Sequence, residues 1–70
     1  MKQRVEIVQG KLEGISETKV ILKLPQGKEW VEKEFPRGEL AVGLEWVFSH
    51  MGQWVRVKLV DGVAREVSEG

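Results

Sequence analysis

Cysteine, tyrosine and asparagine are absent from this chain, and it carries a single histidine and a single aspartate. The lack of cysteine removes disulfides and thiolate metal ligands together, which excludes the usual small secreted scaffold. One histidine cannot anchor a zinc site, so no metal is expected. The chain is equally poor in groups that trade protons or attack a substrate, and no catalytic residue and no cofactor is assigned. Ser49 and His50 are adjacent, but read as the end of a strand they point to opposite sides, with His50 an exposed loop residue. Gly10 and Gly14 lack the spacing and the following helix that a phosphate-binding loop needs. Glu29, Glu32 and Glu34 are interleaved with Lys28 and Lys33, a pattern that suits solvated ion pairs better than a cation site.

Also missing is any long apolar run. The N-terminus, Met1-Lys2-Gln3-Arg4-Val5-Glu6, alternates charge with apolar residues. It has no signal-peptide core, and nothing in the chain approaches membrane-spanning length. The reading is therefore a cytoplasmic protein without a membrane partner. Eleven basic and eleven acidic side chains give a formal net charge of zero, with a pI near 6.6. Such a balance withholds the broad electrostatic attraction that dominates non-specific binding to nucleic acid. The charged residues are mostly Glu and Lys, a bias also reported for proteins of heat-loving organisms.

What is present is a rhythm of short Val-rich stretches broken at Gly10, Gly14, Pro25-Gln26-Gly27, Pro36-Arg37-Gly38, Gly52 and Asp61-Gly62. No window keeps helical spacing over three turns, so helix is held to a single turn. The 70 residues form one domain, spanning 1–70, near the lower size limit for a single core. The expected fold is all-β: a small five- to six-stranded antiparallel barrel of SH3-like or OB-like type.

The expected strands run from about Gln3 to Glu13, Lys19 to Leu24, Lys28 to about Phe35, Leu44 to Ser49, Trp54 to Val60, and Val63 to about Val67. In the first, Val5 and Ile7 are out of phase with Val8 and Leu12, and Gly10 between them suggests a bulge. Pro25-Gln26-Gly27 reads as a three-residue hairpin loop that sets Leu22 against Trp30 and Ile21 against Val31. His50-Met51-Gly52-Gln53 would join the fourth and fifth strands, setting Trp46 against Val57 and Glu45 against Lys58. Asp61-Gly62 is the strongest hairpin signal; its simplest register opposes Lys58 to Arg65, a like-charge contact that a bulge would avoid. The segment from Pro36 to Gly43 is a broken connection in which Leu40 plugs one end of the core. The core itself is assigned to Val5, Ile7, Leu12, Val20, Leu22, Trp30, Leu44, Trp46, Phe48, Val55, Val57 and Leu59.

Two surfaces stand out. Trp54, Arg56 and Lys58 alternate along one strand and share a face, an aromatic beside two cations as in proteins that stack bases and hold phosphates of single strands. The competing reading has Glu45 neutralise Lys58 and Trp54 cover a barrel end. The second surface is Ile21, Val31 and Val47, apolar at positions that alternation assigns to solvent, which suits contact with a second copy or a protein partner. With neutral charge, the first functional reading is a non-catalytic protein-interaction or self-association module. The alternative is a small barrel that binds single-stranded nucleic acid.

The runs Leu12-Glu13-Gly14, Val20-Ile21-Leu22-Lys23-Leu24, Phe35-Pro36-Arg37-Gly38-Glu39-Leu40 and Gly43-Leu44-Glu45-Trp46 together resemble a family of very small bacterial and archaeal β-barrel proteins of unknown function. The resemblance covers about residues 5 to 48; the hairpin from Trp54 to Val67 goes beyond it. It implies the barrel and carries over no catalytic or ligand residue.

Overall fold

The computed structural model describes residues 2–70. Along the chain lie β1 (Val5–Ile15), β2 (Lys19–Gln26), β3 (Glu29–Pro36), α1 (Leu44–Ser49), β4 (Trp54–Val60) and β5 (Val63–Glu69). The fold is all-β with one short helix: five strands form a single sheet in the order β3-β2-β1-β4-β5, every neighbouring pair antiparallel. The sheet curls without closing. Its two edge strands approach at one end only, through a parallel bridge between Arg37 and Ala64, after which Gly38 and Ala41 donate their N–H groups to the carbonyls of Ala64 and Arg65 on β5.

The local turn chemistry explains both hairpins. Asp61 and Gly62 both take positive φ, the pair of left-handed conformations that a two-residue type I′ turn requires. The like-charge contact anticipated beyond it is avoided by a register shift between Lys58 and Leu59, which sets Lys58 opposite Glu66. The β2–β3 hairpin departs from expectation. Its loop is the two residues Gly27-Lys28, with Gly27 at φ 63, and Pro25 is inside β2, opposite Trp30. A proline is tolerated there because its missing N–H points toward β1, and the ladder to β1 runs no further than Lys23. The consequence is a shift of the whole of β3: Leu24 faces Val31, Lys23 faces Glu32 and Leu22 faces Lys33.

Leu44–Ser49 is a helix, not a strand. Leu44, Trp46 and Phe48 alternate, but Leu44, Val47 and Phe48 also satisfy helical spacing, and a short apolar run cannot decide between the two. Tertiary pairing decides it. β4 is taken by β1 and β5, and the last stretch of β1 bonds to the loop after α1, Leu12 N–H to Gln53 O and Gly52 N–H to Leu12 O. Of the helix only Val47 is fully buried, while Phe48 is 57% exposed. Phe48→Ala is expected to change the free energy of unfolding by less than about 1 kcal/mol in a urea titration; a core phenylalanine would cost several times more.

The core is Leu12, Val20, Leu22, Phe35, Val47, Val55, Val57, Leu59, Ala64 and Val67, with Leu40, Val42 and Trp46 packed partly against it. Val5, Ile7, Trp30, Leu44 and Phe48 are exposed instead. The β1–β4 register is the reason for the first two: Val8 opposes Val57 and Gly10 opposes Val55, so Val8, Gly10 and Leu12 face inward and Val5 and Ile7 outward. No bulge occurs at Gly10; the irregularity of β1 falls between Leu12 and Gly14, in the ladder to β2. Phe35 and Val47 enter because β3 is shifted and α1 is helical. No polar or charged side chain is buried among the described residues.

Candidate nucleic-acid interface

Inward placement of Val55, Val57 and Leu59 turns Trp54, Arg56 and Lys58 together onto the outer face of β4. They differ in availability. Lys58 lies 3.3 Å from Glu66 on β5, an ion pair that occupies its charge. With the amide of Gln9 oriented so that its oxygen faces Arg56, that oxygen accepts from Nη2 and Nε at 3.1 and 3.2 Å. This neutral partner fixes the guanidinium on the surface and leaves its charge uncompensated. Glu45 sits on α1 and does not pair with Lys58.

Two residues that sequence reasoning did not assign to it complete the surface. Trp30, expected in the core, points outward, 47% exposed, because it opposes Pro25 rather than Leu22. β2 and β1 separate it from Trp54 in the sheet, yet the two indole centroids lie 6.2 Å apart in an edge-to-face arrangement at 76°. Lys11 stands opposite Trp54 on β1 and holds its Nζ 4.8 Å from the centroid of the Trp30 ring. The outcome is a surface of two tryptophans, one lysine and one arginine. Gly27-Lys28 as a Gly-first two-residue loop is the sequence signal that would have found Trp30. Nothing local identifies Lys11, since the β1–β4 register is a long-range pairing.

The second candidate surface does not assemble. Val47 is fully buried in the core. Ile21 opposes Glu34 while Val31 opposes Leu24, residues of opposite parity along β2, so the two side chains point to opposite faces of the sheet. Val31 stays accessible, at 40% exposure, at the open edge.

Ser49 and His50 are closer than a strand end would allow, because they close a helix: Ser49 Oγ lies 3.0 Å from His50 Nδ1. Both are committed to one carbonyl. Ser49 Oγ donates to Trp46 O at 2.8 Å, and with its proton on Nδ1 the imidazole does the same at 2.7 Å. The ring stacks on Trp46 at 3.9 Å and its Nε2 lies beside Glu69 of β5, so His50 is a half-buried C-terminal cap of α1, not a free loop residue. The pair thus satisfies a helix end. No group of three metal-binding side chains occurs among the described residues, and none of their helices is long and apolar enough to cross a membrane.

No protein-family model matches the chain, and neither does any curated protein or solved structure.

Proposed function

We propose that this protein is a non-catalytic binding module that takes single-stranded nucleic acid on the outer face of its sheet, with Trp30 and Trp54 as the stacking surface and Lys11 and Arg56 as phosphate partners. The observation that carries the reading is the exposed edge-to-face pair of tryptophans with a lysine held against one ring. Exposed indoles on a small domain are costly to leave in water, and stacking on a base is sequence-tolerant because every base offers a π-face. A duplex hides those faces and a single strand does not. In fold terms the reading is an OB-like half-open barrel: the strand order β3-β2-β1-β4-β5, with the helix between β3 and β4 and a parallel approach of β3 to β5, supports that type over an SH3-like one.

Neutral net charge bears on the strength of the interaction, not on its geometry. With two phosphate contacts, the slope of log affinity against log salt is about −1.4, which weakens binding about sevenfold between 50 and 200 mM salt. Binding to oligothymidylate and oligouridylate, followed by quenching of tryptophan fluorescence, checks this. Trp30→Ala and Trp54→Ala are each expected to weaken binding by about 1–3 kcal/mol, roughly 5- to 150-fold. Lys58→Ala, which removes a side chain already paired with Glu66, is expected to change affinity little. Absence of quenching at low salt, or tryptophan variants that bind as tightly as the wild type, overturns the proposal.

A further inference from the structure

β3 is an edge strand whose outer side meets no other strand before the bridge at Arg37. The direction of its backbone groups follows from two hydrogen bonds just past its end: Arg37 N–H goes to Thr18 O on the β2 side, and Gly38 N–H goes to Ala64 O on the opposite side. Amides alternate along a strand, so the N–H and C=O groups of Glu29, Val31, Lys33 and Phe35 serve β2. Those of Trp30, Glu32 and Glu34 point to the free edge. Residues Glu29 to Glu34 are all exposed.

We propose that a second copy of this chain occupies that edge: two β3 strands pair antiparallel about a twofold axis at Val31, joining the two sheets into one of ten strands. The charge sequence selects this register. Centred on Val31, Glu29 lies opposite the partner's Lys33 and Lys28 opposite the partner's Glu34. The axis repeats both pairs, so the join carries four opposite-charge pairs, the two at Glu34 shared with Lys19, which already lies 2.8 Å from that carboxylate. Val31 meets the partner's Val31 as a non-hydrogen-bonded pair, while Trp30 exchanges backbone bonds with the partner's Glu32. The neighbouring registers with the same faces are worse: centring on Trp30 keeps only two opposite-charge pairs, Lys28 against the partner's Glu32 and its repeat. Centring on Glu32 sets that carboxylate against its own copy, and centring on Lys33 opposes Lys33 to itself and Glu32 to the partner's Glu34; like charges directly opposite destabilise a ladder. An exposed edge needs either protection or a partner, and here the alternating charges fit a partner in one register. A twofold axis is the commonest symmetry for such pairing.

The inference does not depend on nucleic-acid binding, and its test reads mass and cross-linking. Sedimentation of the wild type at micromolar and higher concentration is expected to show a dimer. Because the chain has no cysteine of its own, Val31→Cys is expected to form an intermolecular disulfide on mild oxidation, since the axis brings the two Cβ atoms within about 4.5–5.5 Å. Glu29→Cys, displaced from its copy by about 13 Å along the strands, is expected to remain unlinked. Lys33→Glu is expected to raise the dimer dissociation constant about tenfold, and adding Glu29→Lys to restore it, because the swapped pairs again have opposite signs. Circular dichroism checks that each variant keeps its strands. A wild type that stays monomeric throughout, Glu29→Cys linking as readily as Val31→Cys, or a charge-swapped double variant no tighter than Lys33→Glu alone overturns the proposal.

Discussion

Replacing Leu22 by Ala is expected to lower the free energy of unfolding by about 2–5 kcal/mol, a large share of what this domain has. A chain of 70 residues at about 0.05–0.15 kcal/mol per residue is held together by only about 4–10 kcal/mol. Leu22 is fully buried and stands directly opposite Leu12, also fully buried, across the β1–β2 ladder. Removing its three outer carbons opens a void between β1 and β2, and the surrounding ladders limit how far the site collapses. The melting temperature is expected to fall by roughly 12–24 °C for a loss of about 3 kcal/mol, at about 4–8 °C per kcal/mol in a domain of this size. Leu12→Ala is expected to behave alike. Since the two cavities merge, the double variant is expected to depart from the sum of the singles by about 0.5 kcal/mol or more. A urea titration giving less than about 1 kcal/mol for Leu22→Ala would show that the site refills, and the placement of these two leucines at the centre of the core would be wrong.

Those leucines were legible in the sequence, and so was the hairpin at Asp61-Gly62, because each is set by a few adjacent residues. Even the register shift after that hairpin follows from charge: Lys58 against Arg65 is unfavourable, and Lys58 against Glu66 forms an ion pair. Illegible were the features that a single residue's direction decides over a distance. Pro25 is an attractive turn opener, yet one missing N–H facing the end of a ladder makes it an acceptable strand residue, and that displacement carries Trp30 from the core to the surface. Leu44–Ser49 satisfies two periodicities at once, and only the occupancy of both sides of β4 rejects the strand. Half of the candidate interface shared this fate. Trp54 and Arg56 could be grouped by alternation within one strand, whereas Trp30 and Lys11 join them only through pairings of β3 with β2 and of β1 with β4.

Gly10 gives the other large effect, through close approach and not through chain reversal. It lies inside β1, opposite Val55 on β4, with the phase of the strand unchanged around it. A Cβ built there would stand 2.7 Å from the carbonyl oxygen of Lys23 and 2.6 Å from Leu24 Cδ2. The leucine methyl has rotamers to move into, but the carbonyl belongs to the β2 backbone, at the residue where the ladder to β1 ends. Relief therefore requires β2 to move away from β1. Gly10→Ala is accordingly expected to cost about 1–3 kcal/mol, the usual range for overpacking a well-filled site, and Gly10→Val more. Gly14 supplies the comparison on the same strand: its Cβ would rest 3.6 Å from Ile21 Cδ1, an ordinary contact. Gly14→Ala is expected to be neutral or to stabilise by a few tenths of a kcal/mol, since alanine restricts the unfolded chain. Urea titrations of the two variants side by side check the contrast. Equal and small effects would mean that β2 lies further from Gly10 than in this fold, and the close approach would not govern the position.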